Sequence, residues 1–300
     1  MEKKYESLTL FQFQDLFPDD NACYQHLAQL KWPDGFVCEK CGHTHYCKGK
    51  LAHTRQCTKC GYQATPTSNT LFHKVKFPIL KAFYIVYFIA TNKQGISSTE
   101  LSRKLGLGQK TCWRFKRKVM KAMASSQQFP LIGKVEVDEM VVGQQEEGTK
   151  GRQNKDKKLV ALAIERVAKG ISHMYARVVP DASSESLRPF FKDHIDMNAT
   201  VKTDKWLGYK PLQNQYSNLT QIKSGETGEK GTNFHDMHRA IMMFKAWLRG
   251  THHSVEHLQD YLNEYCYRVN RQLMKGNIFD NLMNRMVIHN PVYYKNLSID

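Results

Sequence analysis

Nothing in this 300-residue chain approaches the roughly 18 consecutive apolar residues of a membrane-crossing helix. The apolar cluster Phe83-Tyr84-Ile85-Val86-Tyr87-Phe88-Ile89-Ala90 is short and fits a buried helix. The amino terminus, Met1-Glu2-Lys3-Lys4-Tyr5, has no apolar signal core, and there is no internal repeat or long low-complexity tract. Membrane insertion, secretion and repeat architectures are therefore not expected. Acidic residues are scarce in one half only: residues 1–123 hold 20 Lys+Arg against 8 Asp+Glu, whereas residues 124–300 hold 24 against 20. The formal charge of +16 is thus concentrated at the front, and a basic surface attracts a polyanion: DNA, RNA or an anionic membrane. A 41% hydrophobic composition at this length suffices for a substantial core, in two domains or in one large domain with an appendage.

Eight cysteines, four of them in paired spacing, read as metal ligands in a reducing compartment, so a cytoplasmic location with no membrane partner is expected. Cys38-Glu39-Lys40-Cys41 and Cys57-Thr58-Lys59-Cys60 are separated by fifteen residues, the spacing of a four-cysteine zinc site built from two knuckles. Two residues between cysteines let both thiolates face one ion, and four soft ligands leave no open position, so the zinc is structural. Gly42 and Gly61 follow each pair, where a tight turn favours positive φ. His43, His45, Cys47 and His53 lie in the same span but break the paired geometry.

From Phe77 to Met123 the spacing becomes helical, with Leu80, Phe83, Tyr84, Tyr87 and Phe88 on one face. Ser97 or Ser98 caps a helix through Leu105, Gly106 and Gly108 supply a turn, and Thr111-Cys112-Trp113-Arg114-Phe115 opens the next helix, a helix-turn-helix signature. Between Leu101 and Ala122 stand eight Lys or Arg and no acid, which suits a helix set against phosphates in a major groove. The bland alternative is a solvated helical face. Gln109, Lys110 and Arg114 are the exposed candidates for base or phosphate contact, with Arg117 and Lys118 further along the same basic helix; Trp113, Phe115 and Val119 read as core.

Beyond Gly133 the pattern predicts strands over Lys134 to Val142, Lys158 to Arg166 and Ile171 to Val179, a helix near Ser184 to His194, strands at Thr200 to Thr203 and Leu219 to Lys223, and helix from about His235. Gln144 to Lys158 reads as a polar loop. This is the element order of an RNase H-like α/β domain. Two runs end on aspartates, Asp138 and Asp204, which that layout makes neighbours in the middle of the sheet. Either aspartate alone reads equally as a turn former or a helix N-cap. Together, downstream of a basic first half, they point to metal-dependent chemistry on a nucleic acid.

At this point the chain resembles bacterial insertion-sequence transposases with an amino-terminal zinc ribbon, a helix-turn-helix and a DDE-type nuclease core. The carriers are the four-cysteine ribbon, Val137-Asp138-Glu139, Thr203-Asp204-Lys205-Trp206-Leu207-Gly208-Tyr209 and Lys245-Ala246-Trp247-Leu248-Arg249-Gly250-Thr251-His252-His253. The resemblance spans nearly the whole sequence: a helical segment at 1–30, the ribbon at 31–73, the helix-turn-helix at 74–130, the RNase H-like domain at 131–274 and a tail at 275–300. It implies a third metal ligand on a late helix, with a Lys or Arg seven residues on; His238 and Lys245 match, since seven helical steps return almost to one face. Histidine stands where many relatives carry glutamate, and Asp236 and Glu264 remain rivals for that role. Catalytic Mg²⁺ or Mn²⁺ on Asp138, Asp204 and His238, phosphate contacts from Lys245 and Lys205, DNA partners at element ends and target, assembly into at least a dimer, and a bacterial, nucleoid-associated location all follow from the resemblance. His235, His238, His252 and His253 alternatively suggest a separate zinc site, and His252 and His253 contacts to the DNA backbone.

Overall fold

The computed structural model describes residues 8–51, 53–143, 157–168, 170–223, 232–251, 256–272, 278–293 and 297. The polar stretch 144–156, His252 and His253 lie outside the described residues. The chain folds as two compact units, residues 1–123 with 274–300 and residues 124–273. No helix among the described residues is long and apolar enough to cross a membrane.

The first unit begins with α1 (Leu10–Leu16), which opens with a capping box between Thr9 and Gln12, and α2 (Asp20–Lys31), whose N-cap Asp19 accepts from the Ala22 amide. A small antiparallel sheet follows, β1 (Tyr46–Lys48), β2 (Arg55–Cys57) and β3 (Gln63–Ala64), in that spatial order. Helix α3 (Ile79–Thr91) buries Ile79, Ala82, Phe83, Ile85, Val86, Tyr87, Ile89 and Ala90, a distribution so nearly all-round that it can only be an interior helix. Helix α4 (Ser98–Leu105) takes Ser97 as its N-cap and ends at Gly106, whose φ of 58° is the left-handed stop. Helix α5 (Gln109–Ala122) starts after Gly108.

The helix Ile278–Ile288, within the segment expected to be a tail, belongs to this first unit. Phe279, Leu282, Met283, Met286 and Val287 fall at i, i+3, i+4, i+7 and i+8, and the helix Ile278–Ile288 buries that stripe. It packs on α2, α3 and α5, with Phe279 edge-on to Phe13 at 5.7 Å and the Leu71 amide donating to the Met286 carbonyl at 3.0 Å.

The second unit is built on β4 (Lys134–Val142), β5 (Lys158–Val167), β6 (Gly170–Val179), α6 (Ser184–His194), β7 (Thr200–Thr203), a 3₁₀ segment (Leu207–Asn214), β8 (Leu219–Gln221), α7 (His235–Thr251) and α8 (Leu258–Asn270). The five-stranded sheet runs β6-β5-β4-β7-β8; the first three strands are antiparallel, and β7 and β8 lie parallel to β4. That order and those directions are the RNase H-like fold implied by the element order. Alternation sorts β4 between two cores. Val135 and Val137 pack with Leu187, Phe190, Phe191 and Tyr209 on the α6 side, whereas Met140 and Val142 pack with Met237, Ala240 and Phe244 on the α7 side.

Candidate active site and zinc centre

In the ribbon, the Sγ atoms of Cys38, Cys41, Cys57 and Cys60 all lie within 4.8 Å of one another. Cys38 to Cys60 and Cys41 to Cys57 are each 3.6 Å, close to the roughly 3.8 Å edge of a tetrahedron with 2.3 Å zinc–sulfur bonds. The two knuckles are built alike. Gly42 and Gly61 donate to the carbonyls of Cys38 and Cys57 at 2.8 and 3.0 Å, with φ of 71° and 70°. The competing groups are turned elsewhere: His53 meets Asn21 at 2.9 Å, His43 meets Thr58 at 3.1 Å, and Cys47 points to the Gln56 carbonyl. These four thiols form a structural zinc site.

The acidic site lies where the β4–β7 ladder ends. The last registered pair is Val137↔Thr203, so Asp138 and Asp204 are the next residue on each of two adjacent parallel strands. Both are half-buried. Asp138 Oδ1 accepts from the Glu139 amide at 2.8 Å. Asp204 Oδ1 accepts from the Trp206 amide at 3.0 Å, while Gln221 Nε2 donates to the carbonyls of Asp204 and Trp206 at 3.1 and 2.9 Å, bracing the loop. The Trp206 indole donates to the Ala182 carbonyl at 2.8 Å, and Gly208 lies against both groups. A Cβ at 208 would fall 2.2 Å from that same carbonyl, which explains a glycine four residues after the aspartate. Gly208→Ala is expected to lose about 1 to 3 kcal/mol in thermal denaturation, whereas Gly250→Ala, with nothing within 4 Å of the new Cβ, leaves stability unchanged or raises it. Equal effects would show that the Ala182 contact is not the constraint.

Tyr209 follows, fully buried, on the α6 side. Burial, and then the charges of Glu139 and Asp138, push its phenol well above its ordinary value, so it is neutral at any working pH.

Helix α7 buries Met237, Ala240, Phe244 and Leu248 against the sheet and carries His238, Ile241 and Lys245 on the adjoining half-buried stripe. The rivals for third ligand are differently engaged. Asp236 takes Arg166 Nε at 2.9 Å and Arg239 at 3.2 Å, and Arg166 continues to the buried Glu136 at 3.0 Å, with Lys202 at 3.7 Å from the same carboxylate. Glu264 is fully buried on α8, held by Arg268 at 2.6 Å, and α8 packs on β6, two strands away from β4. The Glu136–Arg166 pair was missed in the sequence, although Glu136 and Asp138 alternate onto one face of β4, opposite Val135 and Val137.

Among the described residues, the cysteines are the group of three or more potential ligands whose atoms all lie within 4.8 Å of one another; Asp138, Asp204 and His238 are not drawn together to that degree. Two ions roughly 3.5 to 4 Å apart require ligands spread wider than that. Neighbouring carboxylates are hard oxygen donors of the kind Mg²⁺ and Mn²⁺ prefer, so the residues present fit a divalent pair.

The basic helix requires a correction. Arg117 and Lys118, expected to face DNA, are each only 3% exposed. Beyond Trp113, α5 is an interior helix: Lys118 Nζ donates to the carbonyls of Leu71 and His73 at 3.4 and 3.2 Å, Lys116 Nζ to Ile96 at 2.6 Å, and Arg117 lies over the Trp113 ring at 5.2 Å. Burial draws the Lys118 amine below its usual value. Gln109 and Lys110 are exposed and Arg114 half-buried, all in the first two turns, and Lys205 is exposed beside Asp204.

A four-cysteine ribbon ahead of an RNase H-like sheet with paired aspartates defines the class of zinc-ribbon transposases. Residues 130–270 match the family model of the ISXO2-like transposase domain, and residues 18–63 match that of the transposase zinc-ribbon domain. The chain belongs to this insertion-sequence transposase family. Among solved structures, it is similar to the crystal structure of a pre-cleavage Mos1 transpososome, at 9% identity and a TM-score of 0.28, covering 69% of this chain and 78% of that one. No curated protein matches the sequence.

Proposed function

We propose that this transposase cleaves DNA at the ends of its element and joins those ends to target DNA, using Asp138 and Asp204 as the acidic pair and His238 as the third ligand. The observation that carries this reading is the position of the two aspartates, one step beyond the last registered pair of adjacent parallel strands. Asp236 and Glu264 are held in ion pairs, whereas for His238 no ion pair is found among the described residues. Two Mg²⁺ or Mn²⁺ ions, when bound, activate an attacking oxygen and stabilise a leaving one. Asp138, Asp204 and His238 hold them; Lys245 and the exposed Lys205 hold the phosphate and offset its charge. Water first attacks the phosphodiester at the element end, and the released 3′ hydroxyl then attacks the target. No covalent protein intermediate is needed. Two ends must be handled together, so at least a dimer acts on DNA.

The competing reading is a DNA-binding protein that has lost activity, and the imidazole at 238 is what favours it. Incubating the full-length protein with a supercoiled plasmid bearing the element ends, and with Mg²⁺ or Mn²⁺, decides between them: nicking and strand transfer at the ends support a transposase, and binding without cleavage supports the rival. Cleavage of RNA–DNA hybrids without those ends would reassign the substrate.

DNA recognition is assigned to the opening turns of α5. Lys110→Ala is expected to weaken DNA binding across sequences and to lower the log–log salt slope by about 1. Lys118→Met, at a buried amine, is expected to leave that slope unchanged. A lower slope in the second variant with none in the first would move the interface off this helix end.

A further inference from the structure

Tyr209 carries a hydroxyl that packing alone does not explain. Its ring is fully buried on the α6 side, 6.0 Å from Phe191, and its hydroxyl has no hydrogen-bond partner of ordinary geometry among the described residues, while Glu139, Asp138 and Asp204 lie near enough to act on it. An unsatisfied buried hydroxyl costs about 1 to 3 kcal/mol, and phenylalanine would fill the same space without that cost. Glu139 reaches this side because alternation along β4 turns it opposite to Asp138. Tyr209 reaches it because Gly208 packs against the Ala182 carbonyl and fixes the backbone just before it. A phenol rooted in the Asp204 loop is thus aimed at the carboxylate next to Asp138. The aim matters because the ladder between β4 and β7 stops at Val137↔Thr203, one step short of both aspartates.

We propose that Tyr209 is a positioning residue: its hydroxyl donates to Glu139 when the acidic end of the sheet takes up divalent cations, tying the Asp204 loop to β4 and fixing the separation of Asp138 and Asp204. This rests on the reading that those two aspartates hold the ions. That bond would stand in for the rung that the ladder lacks beyond Val137↔Thr203.

The test is Mn²⁺ titration of the full-length, zinc-loaded protein without DNA, followed by calorimetry or by the Mn²⁺ paramagnetic resonance signal, with thermal unfolding of the Mn²⁺-free protein alongside. Tyr209→Phe is expected to bind Mn²⁺ about tenfold more weakly while its Mn²⁺-free melting temperature stays level or rises. Glu139→Gln is expected to weaken binding similarly, and the double variant to be no weaker than either single one. Wild-type Mn²⁺ affinity in Tyr209→Phe, or additive losses in the double variant, would overturn the proposal, as would a lower Mn²⁺-free melting temperature with unchanged affinity, which marks a purely structural hydroxyl. Asp138→Ala separates the two levels: if it binds Mn²⁺ normally, the assignment of the ion site itself fails, whereas lost binding there with normal binding in Tyr209→Phe rejects only the role of the phenol.

Discussion

Asp138→Ala and Asp204→Ala are each expected to reduce end cleavage and strand transfer by roughly a thousandfold or more, while the protein remains folded. Removing one carboxylate from a divalent pair forfeits charge stabilisation on the order of 4 kcal/mol in the transition state, and each 1.36 kcal/mol is a factor of ten in rate. Little stability is lost in either case, because both side chains are half-buried at the end of the ladder and the neighbouring Val135, Val137 and Met140 keep their cores. Asp204→Ala also gives up the Trp206 amide contact, a loss of about 1 kcal/mol, but Gln221 still braces the loop. His238→Ala is expected to lower activity less than either aspartate variant, and His238→Glu to shift metal preference from Mn²⁺ toward Mg²⁺, since a carboxylate is the harder donor. The rivals behave differently. Asp236→Asn takes from Arg166 one of its two carboxylates and Glu264→Gln weakens the pair with Arg268, so they are expected to lower the melting temperature more than they change the rate of the folded fraction. Full activity in Asp138→Ala would remove the site from this end of the sheet, and a thousandfold loss in Asp236→Asn at unchanged stability would replace His238.

How far this arrangement was legible in the sequence depends on the range of the cause. Strand β4 and the short β7 were readable because alternation and β-branched residues are local signals, and the cap Ser97 and the glycine stop Gly106 are equally local. The parallel adjacency of Asp138 and Asp204 followed from the order of elements. The inward course of Arg117 and Lys118 did not, because a run of cations reads as a solvated face, while long side chains can thread an interior and end on carbonyls such as those of Leu71 and His73. The stripe of the helix Ile278–Ile288 was present in the sequence, but its partners, Phe13 and α3 among them, lie some two hundred residues earlier and give no local sign. Asp236 looked as available as His238 for the same reason: the guanidinium that occupies it comes from β5, seventy positions away. The tyrosine of the Asp204 motif gave only an aromatic residue, and its role depends on which face of β4 it meets.

Removing zinc, by a zinc-selective chelator or by Cys57→Ser, is expected to unfold the ribbon outright and to leave the RNase H-like unit folded. The ribbon has little else to hold it. Its three strands span three, three and two residues, and its buried cluster is Ala28, Trp32, Phe36, Cys38, Cys57 and Ala64, two of which are themselves ligands. So few apolar groups cannot offset the conformational entropy lost on ordering the ribbon, whereas a four-thiolate zinc site supplies about 10 to 16 kcal/mol. Arg55, stacked between Trp32 at 4.2 Å and Tyr46 at 4.6 Å, reports the change: when β1 and β2 separate, that sandwich opens and Trp32 becomes exposed. Zinc content should fall to background in Cys57→Ser, Trp32 fluorescence should shift to the red, and strand signal from the larger sheet should persist. A Cys47→Ser control, at a thiol directed to the Gln56 carbonyl, should keep full zinc. Stoichiometric zinc retained by Cys57→Ser and lost by Cys47→Ser would mean that the ribbon closes on a different set of thiols, and the paired knuckles would no longer account for its stability.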